Sequence, residues 1–252
     1  MKLSVILPTI RPELLIRWYN SFIQSYTGEF ELIIISPNFV SDFIGIHPNL
    51  KYIQDWGSPL RCQQLGLTKA EGDYIHRAVD DSIYIREYMS KEMQKIKDYK
   101  DVINLKFIEG ESQTHRDMSN PDFYNMEYHI QTLAAYTPFD YKVINFSIIS
   151  RQFLNELGGW DASIFETIGI GELDLSLRMQ FMGANVILSD NVVIKCDWQP
   201  GETGDHASMH QAFPFDMDKY RKIYSTLEYE DRLIIPIDNW KKAPEKWERR
   251  FQ

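Results

Sequence analysis

Only two cysteines, Cys62 and Cys196, occur in the 252 residues. That is too few for a disulfide framework or a structural zinc site, so both read as ordinary reduced residues. No apolar run approaches the roughly 18 residues that a membrane-spanning helix needs. The opening MKLSVILPTIRPE holds a short apolar run, but Pro8, Arg11, Pro12 and Glu13 interrupt it, unlike a secretory signal. These features point to a soluble, cytoplasmic protein with no membrane span. Cations are the minority charge: 27 Lys and Arg against 36 Asp and Glu leave a net charge of −9. Broad binding to a phosphate backbone needs clustered cations and is disfavoured, while a local basic groove stays open. No Gly-rich loop carrying Lys or Arg follows the first apolar run, which argues against phosphate-activating chemistry. Repeats and low-complexity segments are absent as well.

What is present is a chain able to build a core, 44% hydrophobic and 13% aromatic. Its length suits one large α/β domain or two small ones. Leu3 to Leu7 reads as a buried strand, broken by Pro8-Thr9. Pro12 suits a first helical turn, and Leu14, Leu15, Trp18, Phe22 and Ile23 follow at helical spacing. Glu31 to Ile35 is a second buried strand, stopped by Ser36-Pro37-Asn38, and Tyr52-Ile53 mark a short third. A helix over Pro59 to Ala70 is closed by Gly72, and Tyr74 to Val79 is again a strand. This alternation predicts a mostly parallel central sheet flanked by helices. Ligands of such sheets bind beyond the carboxyl ends of the strands. Pro8-Thr9, Ser36-Pro37-Asn38 and Asp80-Asp81 should therefore converge on one edge.

Further along, Tyr84 to Tyr99 reads as an exposed helix and Val102 to Phe107 as a strand. Residues 109 to 130 read as a long loop or lid. Val143 to Ile149 is a strand and Arg151 to Leu157 a helix stopped by Gly158-Gly159. Asp174 to Met182 is an amphipathic helix ended by Gly183, and a strand begins at Val186.

Asp80 and Asp81 pose a physical problem. Two ionised neighbours at a strand end repel, and burying them is costly without a cation. A hard divalent ion is one answer; a solvated turn, where Asp is common, is the other.

Three ordered stretches, SVILPTIRPELL, GLTKAEGDYIHRAVDD and GGWDASIFETIGIGELDLSLRMQFMGANVIL, resemble the family 2 glycosyltransferases with the GT-A fold. The likeness runs over roughly residues 3 to 190. It implies transfer of a sugar from a nucleotide donor, a UDP-sugar above others, with Mn²⁺ or Mg²⁺ and inversion at the anomeric carbon. It implies a nucleotide-sugar-binding half over 1–107, an acceptor-binding and catalytic half over 108–204, and a C-terminal helical tail over 205–252. Asp80 and Asp81 stand at the middle and last places of the family's metal motif, whose first Asp is replaced by Val79. Pro8, Thr9, Asn38, Arg61, Gln64, Asp80 and Asp81 then face the donor. Asn38 falls where the family often has acidic residues for the base.

On the same resemblance Gly171-Glu172-Leu173-Asp174 stands at the family's Glu-Asp-x-Asp, so Glu172 takes the place of the catalytic base, with Asp174 the other candidate. A structural role near a helix start is the competing reading for one of the pair. Trp160 and Asp161 correspond to the entry of the acceptor loop, where the aromatic either stacks on a sugar or packs. The segment GDHASMH follows, with Asp205 ahead of two histidines. His206 is the expected third metal ligand and His210, one turn on, the alternative. The tail NWKKAPEKWERRFQ puts Trp247 and Phe251 on one helical face, which either packs on its own domain or docks an anionic partner. For the acceptor the resemblance implies a glycan, with a hydroxymethylated DNA base as the alternative. The competing classes are a nucleotidyltransferase-like enzyme and a non-catalytic binding protein on this fold.

Overall fold

A computed structural model describes residues 1–38, 45, 47–109, 130–132, 139–196, 206–225 and 230–251. The predicted alternation holds. Strand β1 (Leu3–Pro8) leads through a 3₁₀ turn at Pro12–Leu14 into helix α1 (Leu15–Ser25). Strands β2 (Phe30–Ser36) and β3 (Leu50–Gln54), helix α2 (Pro59–Lys69) and strand β4 (Tyr74–Arg77) follow. These four strands are mutually parallel and lie in the order β3-β2-β1-β4.

The second half extends the same sheet with mixed polarity. Its strands are β5 (Ser82–Tyr84), β6 (Asp101–Glu109), β9 (Ser147–Ser150) and β10 (Asn185–Cys196). A separate antiparallel ribbon pairs β7 (Ile130–Thr132) with β8 (Asp140–Lys142). The eight-stranded order ends β4-β9-β6-β10-β5. β9 runs antiparallel to both neighbours and β5 antiparallel to β10. Helix α3 (Tyr88–Met93) follows β5, α4 (Arg151–Leu157) follows β9, α5 (Ile168–Phe181) precedes β10, and α6 (Ala207–Ile223) lies beyond it.

Several expectations meet a different outcome. The helix expected over Tyr84 to Tyr99 shrinks to α3, because Ser82–Tyr84 pairs with Ile194–Cys196 at the sheet edge. The expected lid over 109–130 lies almost wholly outside the described residues. Helix α5 begins six residues before Asp174, at Ile168. Gly171 does not break it, since Leu60 packs there: a Cβ would come within 2.4 Å of Leu60 Cδ1. Asp216 supplies the missing cap from α6, its Oδ2 accepting from the Glu166 and Thr167 backbone N–H groups at 2.8 Å each. The stop at Gly158-Gly159 holds. Gly158 has φ +81°, and a Cβ there would sit 1.8 Å from the Ile235 carbonyl oxygen.

Alternation along β4 sorts its side chains between two cores. Ile75 joins the core beneath α2 and α5, while His76 stacks on Phe22 of α1. His76 is fully buried between the Ser147 carbonyl (2.9 Å) and the Tyr84 hydroxyl (2.6 Å). A neutral ring satisfies both, donating from Nδ1 and accepting at Nε2. Burial pushes its pKa down to about 4 from 6.5; the Ser147 carbonyl opposes this and Arg77 assists it.

Because the folded pKa is depressed, the unfolded chain takes up the proton first. The stability that neutral His76 confers is present above about pH 6.5 and lost as pH falls toward 4. That depression corresponds to about 3 kcal/mol. Urea unfolding of wild type and His76→Gln at pH 7 and pH 4 should show the wild-type advantage shrinking by about that much. An advantage independent of pH would count against a neutral buried ring.

Candidate functional site

At the carboxyl edge of β1, β2 and β4 lies a cavity of about 210 Å³. Its floor includes Pro8, Thr9, Ile10, Arg11, Pro37, Val79 and Asp80. The parallel register sets Ile6 of β1 against Arg77 of β4, so the loops after these two strands are neighbours. The other side comes from the second half of the chain: Ile168 at the start of α5, His206 and Met209 at the start of α6, and Arg250 with Phe251.

The acidic pair has a partner that the sequence reading did not single out. Arg11 donates from Nε to Asp80 Oδ2 at 3.1 Å and from Nη2 to Asp80 Oδ1, and the same Nη2 lies 3.4 Å from Asp81 Oδ2. Thr9 adds its hydroxyl to Asp80 Oδ2 at 2.5 Å and accepts from the Arg11 backbone N–H at 2.9 Å. Burial works against the Arg11 charge, but the bonds and attraction of Asp80 outweigh it and raise the pKa. Asp81 is pushed above the ordinary carboxylate range by burial and by Asp80, with Arg11 pulling the other way.

Among the described residues no group of three or more His, Cys, Asp or Glu side chains gathers as a metal cage. The donor set that is present, two adjacent carboxylates beside an open cavity, fits a hard divalent ion whose remaining ligands are phosphate oxygens and water. His206 lines the cavity that Asp80 lines, whereas His210 is exposed.

Glu172 lies within α5, 2% exposed, behind Arg77. Its Oε1 is 2.8 Å from Arg77 Nε and accepts from Trp160 Nε1 at 3.1 Å; its buried Oε2 has no hydrogen-bond partner among the described residues. Burial raises its pKa to about 7 despite the opposing pull of Arg77 and Trp160. Arg77 lines the cavity itself, stands over the Phe146 ring and donates from Nη2 to Asn145 Oδ1 at 2.5 Å. Glu172 itself is not among the cavity-lining residues and reaches the cavity wall through Arg77.

Asp174 is engaged differently. It accepts from Arg178 Nε (2.8 Å), Tyr224 Oη (2.7 Å) and Arg232 Nη2 (3.2 Å); Asp174, Arg178 and Tyr224 are fully buried and Arg232 is partly exposed. Burial raises its pKa, but Arg178 and Arg232 outweigh this and hold it low. Arg178 also binds the Leu157 and Gly159 carbonyls, so the cluster ties α5 to the Gly158-Gly159 turn.

The remaining expected residues divide between cavity and scaffold. Pro8 and Thr9 line the cavity; Asn38 is exposed and donates to the Ile10 carbonyl at 3.2 Å. Arg61 is not among the cavity-lining residues. It is buried against Asp55 (3.0 Å), bonds the Trp240 and Ala243 carbonyls at 2.7 and 3.0 Å, and stacks on the Trp240 ring. Gln64 is buried too, bridging the Gly158 and Ile237 carbonyls and the Trp160 N–H. The Trp160 ring is fully buried, and Asp161 binds Ser163 and Arg232.

The tail packs on its own domain. Trp247 donates from its backbone to Trp56 O and from Nε1 to Glu166, which also accepts from Arg249. The expected helical face reduces to one turn, closed by the Phe251 N–H on the Trp247 carbonyl. No helix among the described residues is long and apolar enough to cross a membrane.

No family model and no curated protein sequence matches the chain. Solved structures do. The fold is similar to that of S. aureus TarS. Residues 1–349 of TarS in complex with UDP match with a TM-score of 0.58 at 16% identity, over 92% of this chain and 68% of that one. The same fragment with UDP-GlcNAc matches with a TM-score of 0.53 at 16% identity, over 92% and 69%. A longer TarS structure matches with a TM-score of 0.56 at 18% identity, and this chain spans 41% of its length. The likeness establishes a GT-A-like fold, a mixed α/β sheet flanked by helices.

Proposed function

We propose that the chain is a metal-dependent, inverting glycosyltransferase that moves a sugar from a nucleotide-sugar donor, foremost a UDP-sugar, to an acceptor hydroxyl. One observation carries this reading. The cavity at the carboxyl edge of a GT-A-like sheet is lined by Asp80, whose neighbour Asp81 shares its Arg11 partner, and by Arg77, behind which lies a buried glutamate with a pKa of about 7. That TarS has been solved with UDP and with UDP-GlcNAc supports the donor class.

In this reading Pro8, Thr9 and Asn38 border the nucleotide. Asp80 and Asp81 hold a divalent cation, with His206 as a further ligand, and the ion supplies charge neutralisation to the leaving diphosphate. Glu172 takes the acceptor proton on Oε2, the oxygen that has no hydrogen-bond partner among the described residues. The acceptor oxygen bonds to the anomeric carbon from the face opposite the diphosphate as the carbon–phosphate-oxygen bond breaks, which inverts the centre. Trp160 holds Glu172 from behind, a supporting role that its burial favours over contact with the acceptor.

The test is a thermal-shift screen of UDP-, GDP-, CMP- and dTDP-sugars with Mn²⁺. A donor at a hundredfold excess over its Kd should stabilise the fold by about 2.7 kcal/mol, and Asp81→Asn should abolish the shift. Absence of any nucleotide-dependent shift in the wild type would end the reading. The burial of Glu172 favours one second reading, a non-catalytic nucleotide-sugar-binding protein. In that case wild type and Glu172→Gln bind the donor alike and neither shows transfer or donor hydrolysis above background.

A further inference from the structure

We propose that Arg11 is an exchangeable counter-ion: it holds Asp80 and Asp81 in the free protein, yields them to a divalent cation when the donor arrives, and then turns to the donor diphosphate. The inference rests on the nucleotide-sugar reading above and adds to it a role for a residue outside the acidic motif.

The geometry is specific. The Arg11 guanidinium spans both carboxylates, with Nε and Nη2 on Asp80 and Nη2 on Asp81. Those oxygens are the donors a metal ion would use, and two cations cannot share them without strong repulsion at short range. The side chains of the two aspartates are 7% and 11% exposed and that of Arg11 is 19% exposed, so Arg11 has the more open way out. Asp80 is held additionally by Thr9. Arg11 therefore can leave without stranding Asp80, provided another cation takes over; without one, two buried carboxylates would face each other. Arg11 also lines the cavity, so its displaced side chain stays beside the space assigned to the donor. A guanidinium is well suited to a diphosphate, which it can grip with two parallel N–H bonds. The arrangement makes the metal site costly to fill until an anion is present to receive Arg11, and so couples metal binding to donor binding.

The test is calorimetric titration of wild type, Arg11→Met and Arg11→Lys with Mn²⁺ alone, with UDP in EDTA, and with UDP plus Mn²⁺. Wild type should bind Mn²⁺ alone weakly and at least tenfold more tightly once UDP is present. Arg11→Met should bind Mn²⁺ alone at least tenfold more tightly than wild type and UDP with Mn²⁺ at least tenfold more weakly, with Arg11→Lys between. Melting curves check that the variants are folded, and the wild-type arms need no variant. If Arg11→Met binds Mn²⁺ alone no better than wild type, the exchange is wrong. If wild type binds UDP equally well in EDTA and in Mn²⁺, Arg11 is a permanent substitute for the metal and the exchange is again wrong. If wild type binds no UDP in either condition, the donor reading itself fails, a result distinct from the other two.

Discussion

Asp174→Asn should cost the fold about 3–5 kcal/mol, the range for breaking a buried ion pair by removing one partner. The change leaves Arg178 and Arg232 facing an amide that cannot neutralise them, in a cluster where Arg178 and Asp174 are fully buried. It also loosens the anchoring of the Gly158-Gly159 turn, which Arg178 holds through two carbonyls. The folded carboxyl is depressed, so the stability it confers is present above the unfolded pKa near 3.9 and lost as pH falls through the folded value. Urea unfolding at pH 7 checks the loss. Asp174 belongs to the scaffold if the variant, where still folded, retains UDP affinity. A stable variant that has lost only transfer would return Asp174 to the list of candidate bases.

Glu172→Gln should give the opposite pattern. The amide is nearly isosteric and retains an acceptor for Trp160 Nε1, so the fold should survive. A base that takes the acceptor proton contributes about 10²–10⁴-fold, and transfer should fall by that factor with UDP affinity little changed. Wild-type transfer should rise with pH through about 7 and level off above it, since only the ionised carboxylate accepts a proton. The stability sign is the reverse of that for Asp174. The Glu172 pKa is raised on folding, so its contribution is present below about 4.5 and lost as pH rises toward 7. Burial of this carboxyl thus costs stability at neutral pH, the range in which a proton acceptor would be ionised. Pre-steady-state or donor-hydrolysis rates over pH 5.5–9 measure the activity limb. A variant as active as wild type would remove Glu172 from the chemistry.

The sequence was informative where signals are local. Leu3 to Leu7, Glu31 to Ile35 and Tyr74 onward are short apolar or β-prone runs bounded by turn residues, and all three became neighbouring parallel strands. Their order placed Pro8-Thr9 and Asp80-Asp81 on one edge, and the cavity is there. Periodicity was less use for α5, because Gly169 and Gly171 look like breakers until Leu60 is seen packed against the helix. The strand Ser82–Tyr84 escaped notice because three residues carry no period; its partner at Ile194–Cys196 lies more than a hundred residues away.

Side-chain roles divided along the same line. By themselves the residues specified an α/β sheet, its ligand edge and the acidic pair that needs a cation, since each follows from strand patterning and from charges adjacent in the chain. Which cation answers Asp80 and Asp81, why Arg61 serves Asp55 and the tail, and how unequal ion pairing separates two equally buried carboxyls, Glu172 and Asp174, were decided by tertiary structure alone. Charge pairing and desolvation depend on distances through space, and Arg11 meets Asp80 across 69 residues of chain that no local pattern spans.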